Sequence, residues 1–232
     1  MKVEIWSDIV CPFCYIGKRK FEKALEDFEG EEKVNIVWRS FQLDPDMKFV
    51  PGQSVHEYLG KRKGTDTAAG KKMNDAMTAI AKEVGLVYDF DNAVVNNTMD
   101  AHRLLHFAKA KGLQNQMKER LFKAYYTEGK NIGDTETLVN LAAEIGLPAA
   151  ETTAILQAET YRLQVLEDQH KAQQIGVTGV PFFVFNDKYA VSGAQPAEIF
   201  TQVLNKVWEQ EKPQLIKETT ASGVCTPDGI CN

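Results

Sequence analysis

Two cysteines stand three positions apart near the start of the chain, in the segment SDIVCPFCYIG (7–17), where Cys11 and Cys14 enclose Pro12 and Phe13. Such a pair can form a redox-active dithiol, provide half of a zinc site, or pack as two small core residues. A structural zinc pair more often lies on a turn between strands and needs a second close pair of ligands. Here the residues before the pair favour a strand and those after it favour a helix, which indicates a redox dithiol.

The position of Cys11 between a strand and a helix predicts a reactive thiol. Unpaired N–H groups of the first helical turn point at a sulfur in this position, and the helix dipole favours negative charge there. We therefore expect the pKa of the Cys11 thiol to lie below the value of about 8.5 for a free cysteine. Cys14 lies one helical turn further on, where it can resolve a mixed disulfide formed by Cys11.

The elements around this pair predict a strand–helix–strand unit. Residues 2–7 favour a short strand, residues 14–30 a helix that stops at Gly30, and residues 33–43 a second strand rich in β-branched and aromatic side chains. Because a helix connects them, the two strands should pair in parallel through a right-handed crossover.

The middle of the chain is predicted to be helical, and most of its helical segments end at glycine, as helix C-termini commonly do. These segments are 54–64, 68–85, 98–112, 113–129, 134–146 and 150–176. Strand patterns return only at 181–186 and 189–193, which form a predicted hairpin, and 196–211 form a final amphipathic helix.

This order of elements predicts the α/β class and a thioredoxin fold, with a four-stranded mixed sheet built from β-α-β and β-β-α halves and a large all-helical insertion. We place the first half of the thioredoxin domain at 1–43, the helical insertion at 44–177, the second half at 178–211 and a flexible C-terminal tail at 212–232.

A proline provides a second indication of dithiol chemistry. In a thioredoxin fold, a cis proline at the start of the third strand lies against the dithiol, and the residue before it offers its backbone to an extended substrate. Pro181, preceded by Val180, has this position in the chain. The alternative is an ordinary trans proline that opens a strand, where proline is tolerated.

Three segments of the chain resemble the DsbA family of thiol–disulfide oxidoreductases, and most closely its FrnE-type branch. They are SDIVCPFCYIG (7–17), FKAYYTEGKNIGD (122–134) and IGVTGVPFFVFNDKYAVSGAQP (175–196), and the resemblance covers about residues 2–208.

The resemblance implies Cys11 as the nucleophile, Cys14 as the resolving thiol and Pro181 in cis after Val180. The neighbouring branch of 2-hydroxychromene-2-carboxylate isomerases and kappa-class glutathione transferases is similar in fold, but carries serine at the position of Cys11 and activates glutathione. The two cysteines of this chain therefore favour dithiol chemistry. The best-known members of the DsbA family are periplasmic, and the N-terminus here departs from that pattern.

The composition excludes some classes of function. With 232 residues and a net charge of −5, the chain lacks the basic surface expected for nucleic-acid binding. It has no apolar run of about 18 residues that could span a membrane. The N-terminus lacks the apolar stretch of a signal peptide, so we expect a cytoplasmic protein. Cysteine pairs in that reducing compartment are more often catalytic or metal-binding than structural.

A second pair, Cys225 and Cys231, lies in the predicted tail and flanks the turn sequence TPDG. A bridge between them would constrain only the tail, which favours an exchangeable pair over a structural one. Roughly 15 residues separate the last predicted helix from this pair, enough to span up to ~50 Å and reach Cys11. We expect a second redox centre, with an inert tail disulfide and a four-cysteine zinc site as alternatives.

Other polar residues are weaker candidates. Glu4 or Asp8 could relay a proton from Cys14, although a strand-edge acid and a loop or capping acid are the plainer interpretations. His102 and His106 share a helix face at a spacing that can hold a metal, but no glutamate lies between them as in zinc peptidases. We expect a packing or surface role for both, and no metal site.

The sequence thus predicts an enzyme that exchanges disulfides with protein or peptide substrates. It needs no cofactor, although glutathione can serve as a thiol co-substrate, and a recycling thiol or reductase system is the expected partner. Two alternatives remain: a glutathione-dependent isomerase or transferase, and a zinc-binding chaperone module.

Overall fold

The strands of the protein form one four-stranded mixed sheet in the computed structural model, which describes residues 1–211. The strands are β1 (Lys2–Ser7), β2 (Asn35–Ser40), β3 (Phe182–Phe185) and β4 (Tyr189–Ser192), in the spatial order β2-β1-β3-β4. β1 pairs in parallel with β2, whereas the β1–β3 and β3–β4 pairs are antiparallel. The predicted fold class is therefore confirmed.

The helices that the structure describes cover both faces of the sheet and fill the long connection between β2 and β3. They are α1 (Pro12–Glu26), α2 (Val55–Arg62), α3 (Thr67–Glu83), α4 (Met99–Ala110), α5 (Gln114–Tyr126), α6 (Thr135–Glu144), α7 (Ala149–Gln157), α8 (Arg162–Gln174) and α9 (Ala197–Glu211). None of these helices is long and apolar enough to cross a lipid bilayer.

Alternating side chains of the strands build two apolar layers, as the pleat of a sheet requires. On one face, Ile5 and Phe183 pack with Phe21 of α1 and Phe200 of α9. On the other face, Trp6 packs near Ala172 of α8, and its indole N–H donates to the carbonyl of Asp168 at 2.9 Å. The sheet is thus held between α1 and α9 on one side and α8 on the other.

A larger apolar core joins α1 to the inserted helices. Cys11, Cys14 and Tyr15 belong to it, together with buried side chains of α4 and α5 such as Leu104 and Phe122. The inserted helices therefore supply part of the wall behind the cysteine pair.

Side chains of the insertion also hydrogen-bond to the backbone of β2 along the edge that faces away from β1. The amide of Gln114 accepts from the N–H of Trp38 at 3.1 Å and donates to its carbonyl at 2.9 Å. Further along, Asp168 accepts from the N–H of Ser40 at 2.9 Å. These contacts attach α5 and α8 to the thioredoxin sheet.

The predicted helix 150–176 is interrupted, and this part of the prediction is wrong. α7 ends at Gln157, α8 begins at Arg162, and Tyr161 between them has a left-handed backbone with φ of 69°. The cause is Arg103 of α4, whose buried guanidinium donates to the carbonyls of Ile155, Leu156 and Thr160. Because these carbonyls are bonded to another helix, α7 stops where a continuous helix would have used them.

Candidate active site

The cysteine pair lies at the junction of β1 and α1. Cys11 is the N-cap of α1, and Pro12 occupies the first turn. Backbone N–H groups of the first turn have no partner within the helix, so a proline there costs no hydrogen bond. The N–H of Cys14 donates to the carbonyl of Cys11 at 2.9 Å. Both thiols are free and buried, whereas Phe13 between them is 44% exposed.

The loop before β3 contacts the first cysteine directly. The peptide bond between Val180 and Pro181 is cis, and the Cys11 thiol donates to the Val180 carbonyl with 3.3 Å between sulfur and oxygen. Gly17 of α1 makes this approach possible, because a Cβ at that position would lie only 2.9 Å from Cγ of Pro181. The chain thus brings together four of the predicted site residues, Cys11, Cys14, Val180 and Pro181.

The pKa of Cys11 differs from the prediction. The hydrogen bond with the Cys14 side chain, and then burial, raise the pKa of the Cys11 thiol well above its usual value, while the backbone N–H of Cys14 acts in the opposite direction. The expected lowering is therefore wrong for this reduced, buried pair. Helix N-terminal N–H groups do favour the thiolate, but the neighbouring thiol and the loss of solvent outweigh them.

Aromatic rings pack against the first turn of α1. Tyr88 donates its hydroxyl hydrogen to the carbonyl of Pro12 at 2.7 Å, and burial raises the pKa of Tyr88, so the hydroxyl remains a donor. Tyr15, next to Cys14, stacks on Phe122 of α5 with 4.7 Å between the ring centroids. Tyr126 of the same helix stacks on Tyr88 at 4.3 Å. The dithiol turn is thereby fixed to the inserted helices.

Asp8, three residues before Cys11, forms a buried pair with His102 of α4. Its carboxylate accepts from the N–H groups of Ile9 and Leu43, both at 2.8 Å, and lies 3.2 Å from Nε2 of His102. Burial acts to raise the pKa of Asp8, but the bond from His102 and the other donors outweigh it and lower the pKa. Burial also lowers the pKa of His102, so a neutral imidazole donates to an ionised carboxylate.

Glu4 lies in different surroundings and, within the described residues, makes no contact with either cysteine. It lies on the central strand β1, not at an edge, and its carboxylate contacts Arg39, Lys2 and Lys171. Burial acts to raise the pKa of Glu4, but these cations lower it to about 2. His106, one turn after the histidine that contacts Asp8, bonds to Ser40 at 3.1 Å.

Lys118 of α5 is a buried charged residue that the sequence did not indicate. Its side chain is completely buried, and its Nζ has no hydrogen-bond partner among the described residues. Burial lowers the pKa of Lys118 from 10.5 to about 8, although Cys14, Asp8 and Cys11 act in the opposite direction. In the sequence this residue is one of two lysines on an amphipathic helix, and only the docking of α5 onto the sheet shows its burial.

A cavity of about 630 Å³ opens beside Cys11. Pro12, Phe13 and Val180 form the wall nearest the cysteines, and the charged groups that line the cavity include Asp8, Asp44 and Arg62. Its remaining walls are largely apolar and include Val55, Leu59, Met73, Met77, Phe90 and Val95. Flexible methionine side chains adapt to ligands of varied shape, so the cavity can accept an apolar group bound next to the sulfur.

The tail pair Cys225 and Cys231 lies outside the described residues. Within residues 1–211, no group of three or more His, Cys, Asp or Glu side chains could hold a metal ion.

Comparison with known proteins agrees with this architecture. The family model described as DSBA-like thioredoxin domain matches residues 2–205. The crystal structure of a probable DsbA oxidoreductase from Streptomyces coelicolor is 40% identical, with a TM-score of 0.85 over 100% of this chain and 98% of that one. YwbO, an uncharacterized protein of Bacillus subtilis, is 29% identical over 212 residues, which are 90% of this chain and 98% of YwbO.

A more distant structure shows the same fold. The cytosolic disulfide reductase DsbM from Pseudomonas aeruginosa, determined with GSH, is 19% identical and superposes with a TM-score of 0.62 over 90% of this chain and 100% of its own. The match of the family model over nearly the whole described chain is the decisive finding. The chain belongs to the DSBA-like thioredoxin domain family.

Proposed function

We propose that the protein is a thiol–disulfide oxidoreductase that exchanges disulfides with protein or peptide substrates through Cys11 and Cys14. One observation carries this proposal: the Cys11 sulfur lies 3.3 Å from the carbonyl of Val180, beside the cis bond to Pro181, with Cys14 one helical turn behind. An attacking sulfur, a resolving sulfur and a backbone edge for the substrate are the three parts that the exchange needs.

The exchange proceeds in two displacement steps. Cys11 first gives up its thiol proton to water, and its thiolate then attacks one sulfur of the substrate disulfide. The substrate S–S bond breaks, and the leaving sulfur takes up a proton from water. The Cys14 thiolate then attacks the Cys11 sulfur of the mixed disulfide and releases the second substrate thiol. The substrate gains two electrons and the enzyme is left with a Cys11–Cys14 disulfide. The same steps in reverse oxidise a substrate dithiol.

The surroundings of Cys11 favour an extended substrate with an apolar side chain near its cysteine. Val180 and Pro181 provide the backbone edge, and Phe13 is exposed beside it. The cavity of about 630 Å³ can take a neighbouring side chain, and it is also large enough for a small thiol. We therefore include glutathione as a thiol co-substrate, which is supported by the similar fold of DsbM, determined with GSH.

Two variants test the role of each cysteine. Cys11→Ser should abolish the reduction of a protein disulfide such as insulin, because the attacking sulfur is removed. Cys14→Ser should still attack but should accumulate the mixed disulfide, which is visible as a covalent adduct on a non-reducing gel. Activity that survives in Cys11→Ser, together with glutathione-dependent isomerase activity, would instead support the alternative enzyme class.

The tail pair forms a second part of the proposal. Cys225 and Cys231 pass electrons to or from the dithiol, which is supported by their spacing in the sequence and by the length of the segment that precedes them. Replacing both by serine should change the turnover of a protein disulfide while Cys11 reacts with a small alkylating reagent at an unchanged rate. Unchanged turnover would leave an inert tail disulfide as the explanation.

Metal content separates the enzyme from a zinc-binding module. The proposed exchange needs both thiols free, so freshly purified protein should contain much less than one zinc per chain. A stoichiometric zinc that is lost together with the cysteines would contradict the dithiol proposal. We further propose that the protein acts in the cytoplasm with a recycling thiol or reductase system, which is supported by the fold shared with a cytosolic disulfide reductase.

A further inference from the structure

The cavity beside Cys11 is larger than a single substrate side chain needs. A cavity of about 150 Å³ holds a benzene molecule, whereas this cavity has a volume of about 630 Å³. One aromatic side chain of an extended substrate would therefore leave most of the space unfilled. The volume lies within the range of about 300–1,000 Å³ found for sites that enclose a whole small ligand. We therefore expect the cavity to accept a complete small molecule.

The helices α2 and α3 supply much of the apolar wall of this cavity. Val55 and Leu59 of α2 line it, as do Met73 and Met77 of α3. The two methionines are four positions apart, so they lie on one face of their helix. Glutathione carries two carboxylates and an ammonium, which would lose their hydration against such side chains without gaining new partners. An apolar thiol therefore fits these walls better than glutathione does.

Two hydrogen-bond donors that line the cavity have no hydrogen-bonded partner among the described residues. They are the hydroxyl of Tyr125 in α5 and the ammonium of Lys63 at the end of α2. Burial raises the pKa of Tyr125, so its hydroxyl remains a donor. Asp44 and Arg62, in contrast, neutralise each other at 2.7 Å. The polar end of a bound ligand should therefore be an acceptor, such as a carbonyl or a carboxylate group.

The placement of the two cysteines favours a ligand with two thiols. Cys11 lines the cavity, whereas Cys14 is completely buried and does not line it. A thiol that enters the oxidised protein from the cavity therefore meets the Cys11 sulfur. If the ligand has only one thiol, Cys14 can attack the mixed disulfide and form the protein disulfide again. A second thiol on the same molecule completes the reduction, because it is held beside the reacting sulfur at a high effective concentration.

We propose that the cavity binds a small aliphatic dithiol, whose apolar chain ends in a carbonyl or carboxylate group, as the reductant of the Cys11–Cys14 disulfide. This inference rests on the proposed function and specifies the chemical class of its recycling thiol. The apolar chain lies against the side chains of α2 and α3, and the acceptor group bonds to the free donors of the lining.

The reduction takes place in two displacement steps. One ligand thiol gives its proton to water, and its thiolate attacks the Cys11 sulfur. The Cys11–Cys14 bond breaks, and Cys14 takes up a proton. The second ligand thiol then loses its proton to water and attacks the ligand sulfur of the mixed disulfide, and Cys11 leaves and takes up a proton. The ligand becomes a cyclic disulfide and loses the two electrons that the protein gains.

Dihydrolipoate is a dithiol of this class, and dithiothreitol is a matched dithiol with a short polar chain. Alkylation at timed intervals measures how fast each reduces the Cys11–Cys14 disulfide in the full chain with Cys225 and Cys231 replaced by serine. Each second-order rate constant is divided by that of the same dithiol with hydroxyethyl disulfide, which corrects for intrinsic thiol reactivity. The corrected rate should be about tenfold higher for dihydrolipoate, because burial of its methylene groups contributes binding energy. Equal corrected rates would overturn the proposal.

Two alanines of α3 provide a matched pair of variants. Ala76 and Ala79 are both exposed, but Ala76 lines the cavity and Ala79 does not. Ala76→Phe should fill part of the cavity and reduce the preference for dihydrolipoate to about twofold or less, the scatter expected between variants. Ala79→Phe should keep the preference. An equal loss of preference in both folded variants, or in neither, would contradict binding in this cavity.

A measurement on the unsubstituted cavity covers the case in which these variants do not fold. Octanamide has an apolar chain and an acceptor group but no sulfur, so it should inhibit the reaction with dihydrolipoate in a saturable manner, whereas acetamide at the same concentration should not. Equal effects of the two amides would reject the cavity as the binding site. If neither dithiothreitol nor glutathione exchanges with the Cys11–Cys14 pair, the proposed function itself fails; if they exchange and dihydrolipoate shows no preference, only this inference fails.

Discussion

Replacing Lys118 by methionine should make the protein more stable near neutral pH, because the wild-type protein holds a buried ammonium with no hydrogen-bonded partner in the described structure. The pKa of this lysine falls from 10.5 to about 8. A difference of about 2.5 in pKa corresponds to about 3 kcal/mol, at about 1.4 kcal/mol for each tenfold change. Methionine has a similar length and keeps the apolar part of the contact with Trp38 and Phe122.

The pH dependence has a definite sign. Between pH 8 and pH 10.5 the unfolded chain holds a proton on Lys118 that the folded chain has released, so the free energy of unfolding rises with pH there. The cost of the buried charge is complete below pH 8 and disappears above pH 10.5. The methionine variant should therefore gain on the order of 1–3 kcal/mol at neutral pH and progressively less toward high pH.

Urea unfolding followed by tryptophan fluorescence, at several pH values between about 6 and 10, measures this difference. The comparison is made with Cys11 and Cys14 both replaced by serine, so that thiol titration does not contribute. Because both thiols act to raise the pKa of Lys118, this replacement can only extend the pH window toward lower pH. A methionine variant that is less stable at neutral pH, or a gain that does not change with pH, would refute the reasoning.

Two further substitutions test other contacts of the site. Gly17→Ala should lower the turnover of a protein disulfide by about tenfold, because its Cβ would lie 2.9 Å from Cγ of Pro181 and must displace the dithiol helix. Equal turnover would show that exchange does not need the close approach of α1 to Pro181. Glu119→Gln removes the partner of Lys18 and Arg19 and should cost on the order of 1 kcal/mol near neutral pH, allowing for solvent screening. Burial acts to raise the pKa of Glu119, but the neighbouring cations outweigh it and lower the pKa to about 2. The difference in unfolding free energy between wild type and variant should therefore shrink as the pH falls from 4.5 to 2. A difference that grows in acid would contradict this prediction.

The features that the sequence predicts and the structure contains are those that can be recognised from a short segment. The order of strand, Cys11, Cys14 and helix is visible within fifteen positions, and Pro181 opens a strand whose pattern is equally local. The fold follows from the order of such elements. The prediction of a lower Cys11 pKa failed because it took into account the helix end alone and not the buried second thiol.

What the sequence could not show depends on distant contacts. Asp8 and His102 are separated by 94 positions, and their pairing needs the docking of α4 against the end of β1. Lys118 stands between Met117 and Glu119 in an ordinary amphipathic pattern. Arg103 likewise resembles a surface residue, yet its guanidinium bonds to the carbonyls at the end of α7. No periodicity in a single segment contains this information.

The bonds from Gln114 and Asp168 to β2 have a consequence for the solubility of the chain. β2 is an edge strand, and an uncovered edge offers a row of backbone groups on which a strand of another molecule can form. Gln114 occupies both polar groups of Trp38, and Asp168 occupies the N–H of Ser40. The inserted helices therefore shield the sheet from intermolecular strand addition, and a shortened protein in which β2 is joined directly to β3 should aggregate even where its sheet can form.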